Sequence, residues 1–175
     1  MQTYRQLAVA CLCLPWMAAT GNAAEGYKPI QSLDELSWML GDWQKLGAAE
    51  SSGLTWRRNL GGKALVAEYA NAPEADTPTA MLSVVMQKPG GETLVAYTFD
   101  QKGGIAVSDL VKNSGSIRWL GTKTFADGTS GRGGIELTIR SDTEYTARYF
   151  FLDGEAVNYM GEAATMVRSS QPKPD

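Results

Sequence analysis

Ile135-Glu136-Leu137-Thr138-Ile139-Arg140-Ser141-Asp142-Thr143-Glu144-Tyr145-Thr146-Ala147-Arg148-Tyr149 reads as two strands around a turn. Apolar and polar residues alternate on both sides of Ser141-Asp142, the period of a half-buried strand. An even register puts Ile135, Leu137 and Ile139 on one face with Tyr145, Ala147 and Tyr149, and sets Glu136 opposite Arg148 and Arg140 opposite Glu144. A slip by one residue would turn isoleucines toward charges at every pair, so the even register is favoured. A three-residue Leu152-Asp153-Gly154 loop then places Val157, Tyr159 and Gly161 on the same interior face.

The same grammar extends over most of the chain. Turn signals recur at Gly61-Gly62, Pro73 to Pro78, Pro89-Gly90-Gly91, Lys102-Gly103-Gly104, Asn113-Ser114-Gly115, Asp127-Gly128 and Asp153-Gly154. Between them lie β-rich segments at 79–87, 93–100, 105–111, 117–125, 134–140 and 144–152. Hairpin-length links make neighbours antiparallel. A meander of about ten strands hides its edges most simply by closing, so the predicted fold is an all-β, antiparallel up-and-down barrel. Gly131-Arg132-Gly133-Gly134 reads as a hairpin bend rather than a phosphate loop, because a strand and not a helix follows it. The one convincing helix is 31–40: Ser32 and Glu35 form a capping box, Leu33, Leu36 and Leu40 share a face, and Gly41 is placed to end it.

Residues 1–24 carry Arg5 as their only charge, then the apolar stretch 7–17, then Ala18, Ala19, Gly21, Ala23 and Ala24. This is the order of a secretory signal peptide, with cleavage expected after Ala23 or Ala24. The apolar stretch falls short of the roughly 20 residues of a transmembrane helix. The reading is therefore an exported protein, periplasmic or secreted, with one barrel domain at 25–168 and a disordered polar tail at 169–175. Both cysteines, Cys11 and Cys13, leave with the signal. Losing only Arg5 takes the 16 basic residues to 15 against 19 acidic, a net of −4. These charges are scattered in both signs, which argues against a nucleic-acid surface.

The 175 residues include no histidine. Without histidine or a retained cysteine, Ser-His-Asp and Cys-His devices, imidazole-bound zinc and His-ligated haem are all excluded. No metal, cofactor or catalytic set is expected; tyrosine, lysine and carboxylate chemistry stay open. Polar exceptions on apolar faces mark the candidate site. Leu54, Trp56, Arg58 and Leu60 share one face, Ile105, Val107, Asp109 and Val111 another, and Ile117, Trp119, Gly121, Lys123 and Phe125 a third. Lining a cavity, the charges Arg58, Asp109 and Lys123 would need a partner or a ligand. With Trp56, Tyr97, Trp119, Tyr149 and Tyr159 they suit an amphipathic molecule, rings on its body and a cation on an acidic head. The plainer alternative is that the aromatics fill the core and the charges reach water at strand ends.

Leu36-Ser37-Trp38-Met39-Leu40-Gly41-Asp42-Trp43 resembles the opening of a bacterial lipocalin-like (calycin) domain family, related at fold level to nitrobindin-type barrels. The similarity continues through Trp56, Gly61-Gly62-Lys63-Ala64-Leu65, Tyr97-Thr98-Phe99-Asp100, Asp127-Gly128-Thr129 and Val167-Arg168. It implies a ten-stranded barrel with a central apolar cavity and no settled activity. The haem of the nitrobindin branch takes an axial histidine, which this sequence lacks. Three functions compete: a carrier of a small apolar or amphipathic ligand, a barrel isomerase or cyclase using Tyr or Asp109 as proton carrier, and a protein-binding, inhibitor-like envelope barrel using the Pro73 to Pro78 loop. Fold alone does not choose among them, and oligomeric state is not legible.

Overall fold

The computed structural model describes residues 26–48, 52–70 and 80–169. The expected signal peptide, the Pro73 to Pro78 loop and all but Ser169 of the expected tail lie outside these residues. Strands run in chain order as β1 (Lys28–Pro29), β2 (Gly41–Lys45), β3 (Gly53–Asn59), β4 (Ala64–Ala70), β5 (Ala80–Gln87), β6 (Leu94–Asp100), β7 (Ile105–Lys112), β8 (Ser116–Thr124), β9 (Ser130–Ser141), β10 (Glu144–Asp153) and β11 (Ala156–Arg168). From β2 to β11 each strand pairs antiparallel with the next, and β11 returns to β2. The result is a closed ten-stranded barrel. Short β1 lies outside that ring and continues the place of β6 along β7, with Ile30 N–H on Leu110 O and Leu94 N–H on Ile30 O.

The 3₁₀ helix Leu33–Met39 plugs one end. Its Ser32–Glu35 capping box is closed, as expected, but the winding is 3₁₀ and not α. Its exit is held from outside the helix. Trp43 Nε1 donates to Met39 O at 2.7 Å, and Arg168 donates to Leu40 O at 2.6 Å and Trp38 O at 2.9 Å. The Arg168 guanidinium also lies 4.5 Å over the Trp43 ring, joining the last strand to the first of the barrel. Above the plug, Leu36, Met39, Trp43, Leu65, Val85, Leu94, Leu110 and Tyr145 are almost fully buried. Burying each such large apolar side chain contributes about 1.5–3 kcal/mol.

The β9–β10 register follows the alternation from Tyr145↔Ile139 to Phe151↔Gly133, with Arg148 opposite Glu136. A shift at Glu144 pairs it with Ser141, so the expected Arg140–Glu144 pair does not form. Two turn readings need correction. Gly131 to Gly134 is no bend but part of β9. Gly133 and Gly134 are required by close backbone approach: a Cβ on Gly134 would stand 1.7 Å from Trp119 O, and one on Gly133 2.3 Å from Phe150 O. Asp153 pairs with Ala156 across a two-residue turn, Gly154-Glu155. That one-residue difference flips the face, setting Val157 and Tyr159 opposite Leu152 and Phe150 on the outside of the barrel.

Moving one inward position from the buried core toward the open end, Leu65 gives way to Ala67, Val85 to Ser83, Leu94 to Ala96, Leu110 to Ser108, Trp119 to Gly121, Tyr145 to Ala147 and Met166 to Ala164. Seven of the ten strands thus offer short side chains at this level. Eight strands already give a barrel as wide as side chains can fill or as one small ligand needs. Of the seven short residues, Ala67, Ser83, Ala96 and Ser108 are themselves buried, while Gly121, Ala147 and Ala164 are partly exposed, so the interior opens on the β8–β11 side.

Candidate functional site

The site is built from two layers of the inner wall. Its floor is the pair Trp56 and Trp119, 3% and 7% exposed. β3 and β8 stand on opposite sides of the ring, yet the two indoles meet edge to face at 5.6 Å. They therefore close the barrel at this height. Neither Nε1 has a hydrogen-bond partner among the described residues, and the same is true of Trp38 Nε1 in the plug. An unpaired buried donor costs about 1–3 kcal/mol.

Above the short side chains the inner wall turns aromatic again and meets solvent. Tyr149, Phe151 and Met160 point inward by register, yet are 52%, 47% and 56% exposed. β11 pairs with β2 only through Met166 to Arg168, while β9 to β11 run well past that short seam and carry these side chains on their concave face. The Tyr149 hydroxyl is raised above the ordinary tyrosine value, first by desolvation and then by Tyr69 across the barrel. Tyr69 and Tyr145 are raised by burial as well.

One ion pair sits at the mouth. Lys123 Nζ lies 2.8 Å from Asp100 Oδ2 and 5.2 Å from the Phe125 ring centre. The same carboxylate accepts the amides of Lys102 at 2.9 Å and Gly104 at 2.8 Å. The Lys123 bond, followed by that from Gly104, holds the Asp100 carboxyl below its ordinary value. Beside it, a hollow of about 480 Å³ straddles the β4–β6 lip between inward Tyr69 and Met81 and outward Glu68, Leu82 and Phe99. It lies across the rim and does not descend to the tryptophan floor.

Of the eight residues singled out by sequence, the structure gathers Trp56, Trp119, Lys123 and Tyr149 along the inner wall. Arg58 points inward but at the plugged end, where it pairs with Asp34 at 2.5 Å. Tyr97, Asp109 and Tyr159 are corrected to the outer face. Tyr97 lies between Val84 and Val107, and Asp109 pairs with Lys88 at 3.2 Å. Tyr159 donates to Glu136 at 3.0 Å beside Arg118, which itself holds Glu136 at 2.5 Å. The exposed Ile105 and Val107 share that outer face, so β7 turns Ala106 and Ser108 inward. Sequence reasoning passed over Phe151, Met160, Tyr69 and Asp100. Extending the Tyr145, Ala147, Tyr149 alternation by one step would have found Phe151.

No helix among the described residues is long and apolar enough to cross a membrane. No group of three or more acidic or cysteine side chains among them is arranged to hold a metal. No known family model matches the chain, and no curated protein matches it significantly.

Proposed function

We propose that this protein is an exported, lipocalin-like barrel that binds a small apolar or amphipathic molecule in the open half of its interior. One observation carries the reading: Tyr149, Phe151 and Met160 face inward yet are about half exposed. Inward apolar surface left in water is a standing cost that a bound apolar body would remove. The signal-like residues 1–24 support export, and the resemblance from Leu36 to Trp43 supports membership of the calycin group.

Two phenylalanines of similar exposure test the site. Phe151 is inside at 47% and Phe99 outside at 40%. Titration with the fluorescent apolar probe 1-aminoanthracene should show saturable binding that Phe151→Glu weakens more than tenfold and Phe99→Glu leaves unchanged. Equal losses would place the probe outside the barrel and refute the reading. A protein-binding reading is favoured by a different observation. Leu82, Phe99 and Ile105 stand in one cross-strand row on the outside, each at least 40% exposed. Under that reading Phe99→Glu is the damaging change.

A further inference from the structure

We propose that the deepest group of the ligand is a neutral hydrogen-bond acceptor, a carbonyl or ether oxygen, received by the indole N–H groups of Trp56 and Trp119. The inference rests on the barrel interior being the binding site and specifies what that site selects.

The floor offers donors and lacks acceptors for them. Both indole nitrogens are buried without a partner among the described residues. Edge-to-face packing lets only one ring present its edge to the other's face, so the π cloud can receive at most one of the two N–H groups. At least one donor is left over. Directly above Trp119 on its own strand stands Gly121, with Ala67 above Leu65 and Ser83 above Val85, so the layer next to the floor on these strands is short; Leu54 stands above Trp56, and Tyr69, Met81 and Lys123 follow toward the mouth.

Charge argues for a neutral head. Of the inward-pointing cations, Arg58, Lys112 and Lys123 are each matched by a carboxylate, from Asp34, Glu35 and Asp100 respectively, and Arg168 is held on the carbonyls of Leu40 and Trp38; Lys45 is exposed at the end of β2. An anionic head at the floor would give up its water for neutral donors alone and pass the Asp100 carboxylate on the way in. A head that only donates would leave the two indole N–H groups unpaired. An uncharged acceptor meets the requirements of the floor.

The test uses the full chain with ¹⁵N-labelled tryptophan and three probes of equal carbon number: 2-nonanone, nonane and nonanoate. The Met160 methyl signal reports occupancy of the mouth, and Trp56→Phe and Trp119→Phe assign the indole signals. The expected result is saturable binding of 2-nonanone about tenfold tighter than either other probe. A downfield shift of the Trp56 or Trp119 indole proton should accompany it, and Trp119→Phe should reduce the preference. If that variant fails to fold, the indole shift in the unaltered chain decides. Saturation at Met160 with unmoved indole signals, or nonanoate binding as tightly as the ketone, overturns this inference and leaves the binding barrel standing. No saturable response to any probe overturns both.

Discussion

Replacing Arg168 by Met removes a guanidinium but keeps an apolar stem of similar length against Trp43. The lost contacts are the bonds to Leu40 O at 2.6 Å, Trp38 O at 2.9 Å and Asp142 O at 3.2 Å, and the stacking at 4.5 Å on Trp43. The two partly buried carbonyl bonds, each to a charged donor, are worth about 1.5 kcal/mol apiece. Stacking adds about 0.5–1 kcal/mol, and the exposed Asp142 bond little. The expected loss is therefore about 3–4 kcal/mol, a large fraction of the ~5–15 kcal/mol that holds a typical domain. Urea unfolding followed by tryptophan fluorescence should show the midpoint falling with an unchanged slope. Arg168→Lys should recover less than half, because an ammonium cannot reproduce the fork that spans two carbonyls. A loss under about 1 kcal/mol for Arg168→Met would show that the plug is held by apolar packing alone and would refute the reasoning.

Gly121→Ala should destabilise the barrel severely, since its Cβ would stand 1.9 Å from Val107 O and 2.6 Å from Ser108 Cα; unchanged thermal unfolding would contradict the close β7–β8 approach. Asp100 has a depressed pKa in the fold, so its contribution is present above the unfolded value near 3.8 and is lost as pH falls through the folded value. Asp100→Asn should accordingly be less stable than the parent at neutral pH, with the difference shrinking below pH ~4; a constant difference across that window would oppose the assignment. The raised tyrosines act at the other end of the scale. Their neutral-form stabilisation is complete below the unfolded value of 10.0 and is lost as pH rises past it. Phenolate absorbance at Tyr145 and Tyr149 should therefore appear late and together with alkaline unfolding, and early reversible titration of both would show an interior wetter than described.

The meander, the plug's capping box and the Arg148–Glu136 register were all legible, because each rests on local chemistry or on strict alternation. The inner face of β7 was not. On β6 and β7 the inner wall carries Ala96 and Thr98, Ala106 and Ser108, while Tyr97, Phe99, Ile105 and Val107 lie outside. Apolar periodicity normally marks the face that packs; here the shorter side chains face the axis, and the period points outward. Asp109 was misplaced for the same reason. Tyr159 was misplaced by a turn one residue shorter than expected, an error that inverts every later residue until the next irregularity. Glycine at 131, 133 and 134 reads locally as a bend, and only the neighbouring strands reveal that backbone crowding requires it at 133 and 134.

The most direct test of the binding barrel is native mass spectrometry of the full-length gene product recovered from the cells that make it, set beside the same sample after denaturing extraction. The account predicts a discrete additional mass that disappears on denaturation and is absent from the Phe151→Glu protein but retained by Phe99→Glu. An added mass retained equally by both variants, or a bare protein that also fails to bind 1-aminoanthracene, would contradict it.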